Sequence, residues 1–229
     1  MNIWTDMQDF FFPRTCLICG KRLLHGENGV CLACLSSLPY THLNNTVGNA
    51  MERCFWGKFP IRQASSLFYY AKDGAVAQIL YAMKYYNRQR LCVQMGELIA
   101  ARLLPTGFFN QIDILLPVPL SRARLKKRGY NQSELLAKGI SNVIHLPVSK
   151  GAILRSRDNV SQTHKSSYAR WENADGLFVV GETAPDLKGK HVLLIDDVLT
   201  TGATLVACAD ALREIEDIQI SVLTLAWAK

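Results

Sequence analysis

The residues with the most chemistry in their types and spacing lie in His191–Thr204, HVLLIDDVLTTGAT. Val192 to Ile195 form a continuous apolar run, the pattern of a strand buried on both faces. Asp196 and Asp197 follow where such a strand would emerge from its sheet, and Thr200, Thr201, Gly202, Ala203 and Thr204 then form a small, hydroxyl-rich turn. That turn leads into an apolar-periodic segment, so it sits at a predicted helix start. The unpaired N–H groups and partial positive charge of a helix N-terminus attract phosphate, and Gly202 lets a ligand approach the backbone without a Cβ in the way. Adjacent carboxylates can accept from vicinal hydroxyls and attract Mg²⁺, a hard cation that prefers oxygen. The combination suits a phosphorylated sugar better than a capped core strand, because no capping rule requires the whole string.

A second constellation is cationic. Ile112–Leu116 reads as a buried strand, and Pro117-Val118-Pro119 stiffens its exit. Arg122, Arg124, Lys126, Lys127 and Arg128 follow within seven positions. Taken alone, the basic run fits a solvated loop about as well as an anion site. Its place at a strand exit, where α/β sheets bind ligands, favours the anion site. A third feature is the long polar stretch Arg155–Asn173, which includes Gln162 and Arg170. A loop of that length inside a compact domain is usually functional or disordered, and here it would serve as a lid.

The fourth constellation is Cys16-x2-Cys19 and Cys31-x2-Cys34. Each pair can turn two thiolates onto one ion, and two pairs complete a tetrahedron, so structural Zn²⁺ is expected. So small a segment would depend on the metal to fold. His25, between the pairs, is expected to be a loop residue, because four cysteines already suffice. Cys54, Cys92 and Cys208 read as small hydrophobes.

The elements that must position these groups alternate along the chain. Ala64–Tyr70, Pro147–Leu154, Gly176–Val180 and Ile218–Ala226 read as strands; Val76–Tyr86, Leu91–Leu104, Asn131–Ile144 and Thr204–Ile215 have helical periodicity. Lys84, Arg88 and Arg90 close the first helix, where they suit its dipole as well as they suit a ligand. The alternation predicts an α/β fold with a mostly parallel sheet over residues 64–229. Residues 46–63 read as a connector, and residues 1–45 as an N-terminal helix (Ile3–Phe12) followed by the cysteine ribbon. That helix would pack on the ribbon or offer its aromatics to a membrane surface or partner.

The 229 residues can hold one sizeable domain and a small one. The formal net charge of +7 suits polyanionic ligands without choosing among them. No apolar run approaches a membrane span, and Asp6 and Asp9 interrupt the apolar start, so neither a membrane span nor a secretory signal is expected and the predicted location is cytoplasmic.

The string IDDVLTTGAT resembles the signature of the type I phosphoribosyltransferases. With the cysteine ribbon, the segment LLPVPLSRARLKKRGYNQSELLA and the pattern Gln162, Thr163, Ser166, Arg170, Asn173, Gly176, Phe178, the chain resembles the ComF family of competence proteins. His164-Lys165 stands where Gly-Leu is more usual after Gln-Thr. The resemblance implies the type I phosphoribosyltransferase fold, helices flanking a mostly parallel sheet, with a small N-terminal zinc ribbon. It implies phosphoribosyl pyrophosphate (PRPP) as ligand, with its ribose hydroxyls and Mg²⁺ on Asp196 and Asp197. The 5′-phosphate would lie in Thr200–Thr204 and the pyrophosphate against Pro119, Arg122, Arg124, Lys126, Lys127 and Arg128. The lid would bring Arg155, Gln162, Arg170 and Asn173. Two functions follow as expectations: phosphoribosyl transfer to an unidentified acceptor, or a non-catalytic module of DNA uptake that holds single-stranded DNA or a helicase.

Overall fold

The computed structural model describes residues 14–43, 46–156 and 176–229. The expected helix Ile3–Phe12 and the lid residues Gln162, Arg170 and Asn173 lie outside them. In chain order the elements are α1 (Leu32–Ser36), α2 (Ala50–Arg53), β1 (Ile61–Tyr69), α3 (Ala75–Tyr85), α4 (Gln89–Leu103), β2 (Ile114–Pro117), α5 (Arg122–Arg128), α6 (Gln132–Ile144), β3 (Ile153–Arg155), β4 (Phe178–Val180), β5 (His191–Leu199), α7 (Ala203–Ala211) and β6 (Gln219–Trp227).

Four strands form an all-parallel sheet in the order β1-β6-β5-β2, and β3 pairs antiparallel with β4 in a separate hairpin. The apolar run of β5 lies in the interior of the sheet. Successive side chains of a strand point to opposite faces. Leu193 and Ile195 therefore join the core built by α3, α4 and α6, while Val192 and Leu194 join the core under α7. Helix α4 meets α6 in backbone contact. A Cβ on Gly139 would lie 2.0 Å from the Val93 carbonyl oxygen, and one on Gly96 would lie 2.2 Å from that of Leu136.

Three expectations are revised. The acidic pair does not follow the strand, since β5 continues through Asp196 and Asp197 to Leu199 and keeps pairing with β6 as far as Trp227. The basic stretch is not a loop; Arg122–Arg128 is helical, with Ser121 Oγ accepting from the Arg124 N–H at its start and Gly129 in the left-handed region at its end. The strand expected over Pro147–Leu154 is confined to Ile153–Arg155, and Val148 makes only an isolated parallel bridge to Leu115.

The stretch 46–63 is packed rather than free. Its helix α2 is capped by Asn49, whose side chain also donates to the Ala64 carbonyl. Met51, Phe55 and Phe59 enter the core under α7. No helix of the described residues is long and apolar enough to cross a membrane.

At the opposite end of β5 from the acidic pair, His191 is buried, with Nε2 2.7 Å from Ser221 Oγ. Burial, then the charge of Arg62, holds its pKa below the ordinary histidine value. The folded state thus binds this proton less tightly than the unfolded chain. The stability His191 contributes is full above the unfolded pKa of about 6.5 and is lost as pH falls through the folded pKa. A pH series of thermal melts from 7.5 to 5 therefore shows a shallower acid loss in His191→Gln than in the wild type. Equal slopes would remove His191 from the account.

Candidate functional site

The site gathers at the C-terminal end of the parallel sheet, around the last residues of β5. Asp196 and Asp197, being consecutive, leave the strand on opposite sides. Asp197 is buried, and its Oδ2 lies 2.9 Å from Lys84 Nζ in the last turn of α3. Asp196 Oδ1 accepts from Ser133 Oγ at 3.1 Å and from the Asp197 N–H at 2.8 Å. Burial first, then the neighbouring charge of Asp197, pushes the Asp196 carboxyl up to about 7. One member of the pair is thus reluctant to ionise, as expected for two neighbouring carboxylates.

The segment between α5 and α6 organises the surroundings. Asn131 caps α6 by accepting from the Ser133 N–H, and its amide donates to the Val118 carbonyl at the exit of β2. Tyr130 Oη and Gln132 Nε2 both donate to the Met83 carbonyl, at 2.6 and 3.3 Å, which bolts the end of α3 to the start of α6. Arg128 donates to Gln132 Oε1 at 2.8 Å. Gly202 has φ +82° as the N-cap of α7, and a Cβ there would lie 3.3 Å from Phe55 Cε1. The turn therefore needs glycine for its backbone conformation and is closely backed by an aromatic ring from the 46–63 stretch.

A cleft of about 200 Å³ results. Of the residues anticipated from sequence, Pro119, Arg124, Arg128, Arg155, Asp196, Asp197, Thr200 and Thr204 line it. Thr201, Gly202 and Ala203 form the turn beneath, with Thr201 Oγ1 accepting from the Ala203 N–H. Arg122, Lys126 and Lys127 lie exposed on α5 and do not line the cleft. Sequence reasoning left Lys84 open between a dipole partner and a ligand contact, and missed Asn131, Gln132 and Ser133; all four line the cleft. The Asn-Gln-Ser run directly after a basic segment, polar in the first turn of an amphipathic helix, was a readable signal for the last three. For Lys84 no local signal decides between the two readings, because its partner Asp197 is remote in sequence. With an all-oxygen acidic pair on its floor and arginines on its wall, the cleft can hold an anion beside a hard divalent cation.

The second centre is the cysteine cluster. The sulfurs of Cys16, Cys19, Cys31 and Cys34 all lie within 4.8 Å of one another, and those of Cys19 and Cys31 are 3.8 Å apart. Zinc–sulfur bonds of about 2.3 Å place tetrahedral sulfurs about 3.8 Å apart, so the set fits zinc. The N–H groups of Ile18 and Cys31 point at Cys16 Sγ, each at 3.4 Å. Burial opposes ionisation of Cys16, but the surrounding backbone donors outweigh it and bring the thiol down to about 6. Burial and the crowding of the other three sulfurs push Cys34 up to about 12, as a thiolate set requires a cation to balance it. The cluster is docked: Cys16, Leu23, Val30 and Leu38 join the core of α3, α4 and α6, and a Cβ on Gly29 would lie 2.9 Å from Leu91.

Comparison with known proteins places these features in context. Residues 90–226 match the phosphoribosyl transferase domain. A DNA utilization protein, YhgH, of Escherichia coli K12 is 26% identical over 215 residues, covering 87% of this chain and 91% of that protein. Competence protein F of Haemophilus influenzae is 25% identical over 227 residues, covering 92% and 96%. Among solved structures, adenine phosphoribosyltransferase from Leishmania donovani aligns at 13% identity with a TM-score of 0.40, over 70% of this chain and 83% of that one.

Proposed function

Because this chain belongs to the phosphoribosyl transferase domain family, we propose that the cleft at the end of β5 binds PRPP together with Mg²⁺. The observation that supports this most is the convergence in one cleft of the acidic pair, the Gly202 turn at the start of α7 and the arginines of α5. In this reading Thr200 to Thr204 take the 5′-phosphate, using hydroxyls and first-turn N–H groups. Asp196 and Asp197 accept from the ribose hydroxyls and supply the oxygen ligands for the metal. Arg124 and Arg128 face the pyrophosphate. Mg²⁺, when bound, neutralises charge on the departing diphosphate. The remaining work falls to positioning and fixed charge, which suits a reaction whose transition state develops cation at C1 and anion on the leaving group. The acceptor is a nucleophile of unassigned class. The thiolate cluster suits a reducing, cytoplasmic setting.

The test is calorimetry with PRPP and Mg²⁺. The wild type binds at millimolar PRPP or better, and Asp196→Asn with Asp197→Asn loses about 100-fold or more, roughly 2.7 kcal/mol. Absence of heat with the wild type at millimolar PRPP would overturn the reading. Release of pyrophosphate during incubation then separates an enzyme from a binding protein.

A second reading, a DNA-handling module, is favoured by one surface. Tyr81, Tyr85 and Tyr86 stand exposed at the end of α3, with ring centroids 4.6 and 5.4 Å from Tyr81, and the Arg128 guanidinium lies 5.7 Å from the Tyr85 centroid. Aromatic faces beside a basic helix are what single-stranded nucleic acid stacks on. The relatives described as competence and DNA utilization proteins point the same way. In the same series, an oligo-dT titration that is indifferent to Tyr85→Ala and to loss of the α5 charges would dismiss this reading.

A further inference from the structure

We propose that Lys84 is the exchangeable counter-ion of the acidic pair: it holds Asp197 in the empty cleft and gives that carboxylate up when a divalent cation enters with its diphosphate ligand. The inference rests on the reading of the cleft as a PRPP–Mg²⁺ site, and deepens it by assigning a positioning role to a residue outside the basic helix.

Three observations carry it. The Lys84 ammonium is 2.9 Å from Asp197 Oδ2, and the two side chains are 20% and 12% exposed, so the pair is partly withdrawn from water. Lys84 lines the same cleft as Arg124 and Arg128. Its ammonium can therefore turn from the carboxylate to a ligand phosphate oxygen by rotating its own flexible stem. Finally, its backbone is fixed. The carbonyl of the preceding residue, Met83, accepts from both Tyr130 and Gln132, so α3 cannot withdraw Lys84 without breaking the block that also places Ser133 on Asp196.

The energetics give the arrangement a purpose. Two neighbouring carboxylates on a buried strand end repel, and an unpaired buried charge is costly. Lys84 relieves that cost in the empty cleft. A divalent cation on the same oxygens must compete with it, so the metal alone is held weakly. When the cation arrives with a diphosphate, the displaced ammonium gains a new anionic partner. Metal and ligand binding are thereby coupled, because only their joint arrival gives every charge a partner.

The test uses the full zinc-loaded chain and two substitutions that remove the charge, Lys84→Met and Lys84→Gln. Mn²⁺ binding without PRPP, read by water-proton relaxation, tightens at least about 5-fold in the variants. Adding Asp197→Asn cancels that gain. PRPP affinity at saturating Mg²⁺, read by calorimetry, weakens about 10-fold, while far-ultraviolet circular dichroism is unchanged. Mn²⁺ affinity equal to or weaker than wild type in both folded variants overturns the proposal. If the wild type binds no PRPP, the ligand reading fails, yet the Mn²⁺ arm still judges the exchange of Lys84 for metal on Asp197. A purely structural lysine would lower stability in both variants without raising metal affinity.

Discussion

Gly139→Ala lowers the thermal midpoint by about 10 °C, from a loss of roughly 3 kcal/mol or more. The added methyl would sit 2.0 Å from the Val93 carbonyl oxygen and 2.9 Å from the Glu97 nitrogen, both backbone atoms of α4 that cannot rotate aside. The helices must separate, and the core around Met95, Leu136 and Ile140 opens with them. The consequence reaches the cleft, because α6 begins with the Asn131–Ser133 cap that touches Val118 and Asp196. The ligand binding proposed for the cleft therefore weakens together with stability. Lys138→Ala, on the exposed face one residue away, shifts the midpoint by little and serves as the control. Differential scanning calorimetry of the two variants decides the matter; matched midpoints would mean that α4 and α6 are not in backbone contact.

Removal of zinc is the second large effect. Structural Zn²⁺ binding to small knuckles is worth about 10–16 kcal/mol in isolation. Here part of the fold is also held by docking of Leu23, Val30 and Leu38 on the main core. Cys16→Ser, or a strong chelator, is expected to cost on the order of 5 kcal/mol. It should also expose Leu91 where Gly29 now lies against it. Native mass spectrometry shows one zinc per wild-type chain and none in Cys16→Ser, and the melt of the variant broadens or splits. A metal-free wild type whose four thiols react with a thiol reagent at the rate of the unfolded chain would dispose of the zinc site.

Much of this organisation is legible without coordinates. Short-range spacing fixes the two Cys-x2-Cys turns and the buried run Val192–Ile195. It also marks the Thr/Gly turn, because the chemistry of each is contained within a few residues. The helical character of Arg122–Arg128 was obscured. Its cationic density masks a good set of helix formers, and the Ser121 cap is visible only once charge is set aside. The stretch 46–63 looks like a connector because its apolar residues have no regular period; Phe55 and Phe59 are buried through an irregular turn rather than a helix face.

The division between sequence and fold is clearest at the acidic pair. The sequence by itself determines that Asp196 and Asp197 stand together at the end of a buried run and that a glycine turn follows, since these are properties of adjacent residues. Tertiary structure alone decides that they behave differently. Parallel pairing with β6 through Leu199 sends their side chains to opposite sides. One meets Ser133 in a setting that favours its protonated form, and the other meets Lys84. Those partners come from α6 and α3, distant along the chain, and charge–charge interaction depends on distance in space rather than on separation in sequence.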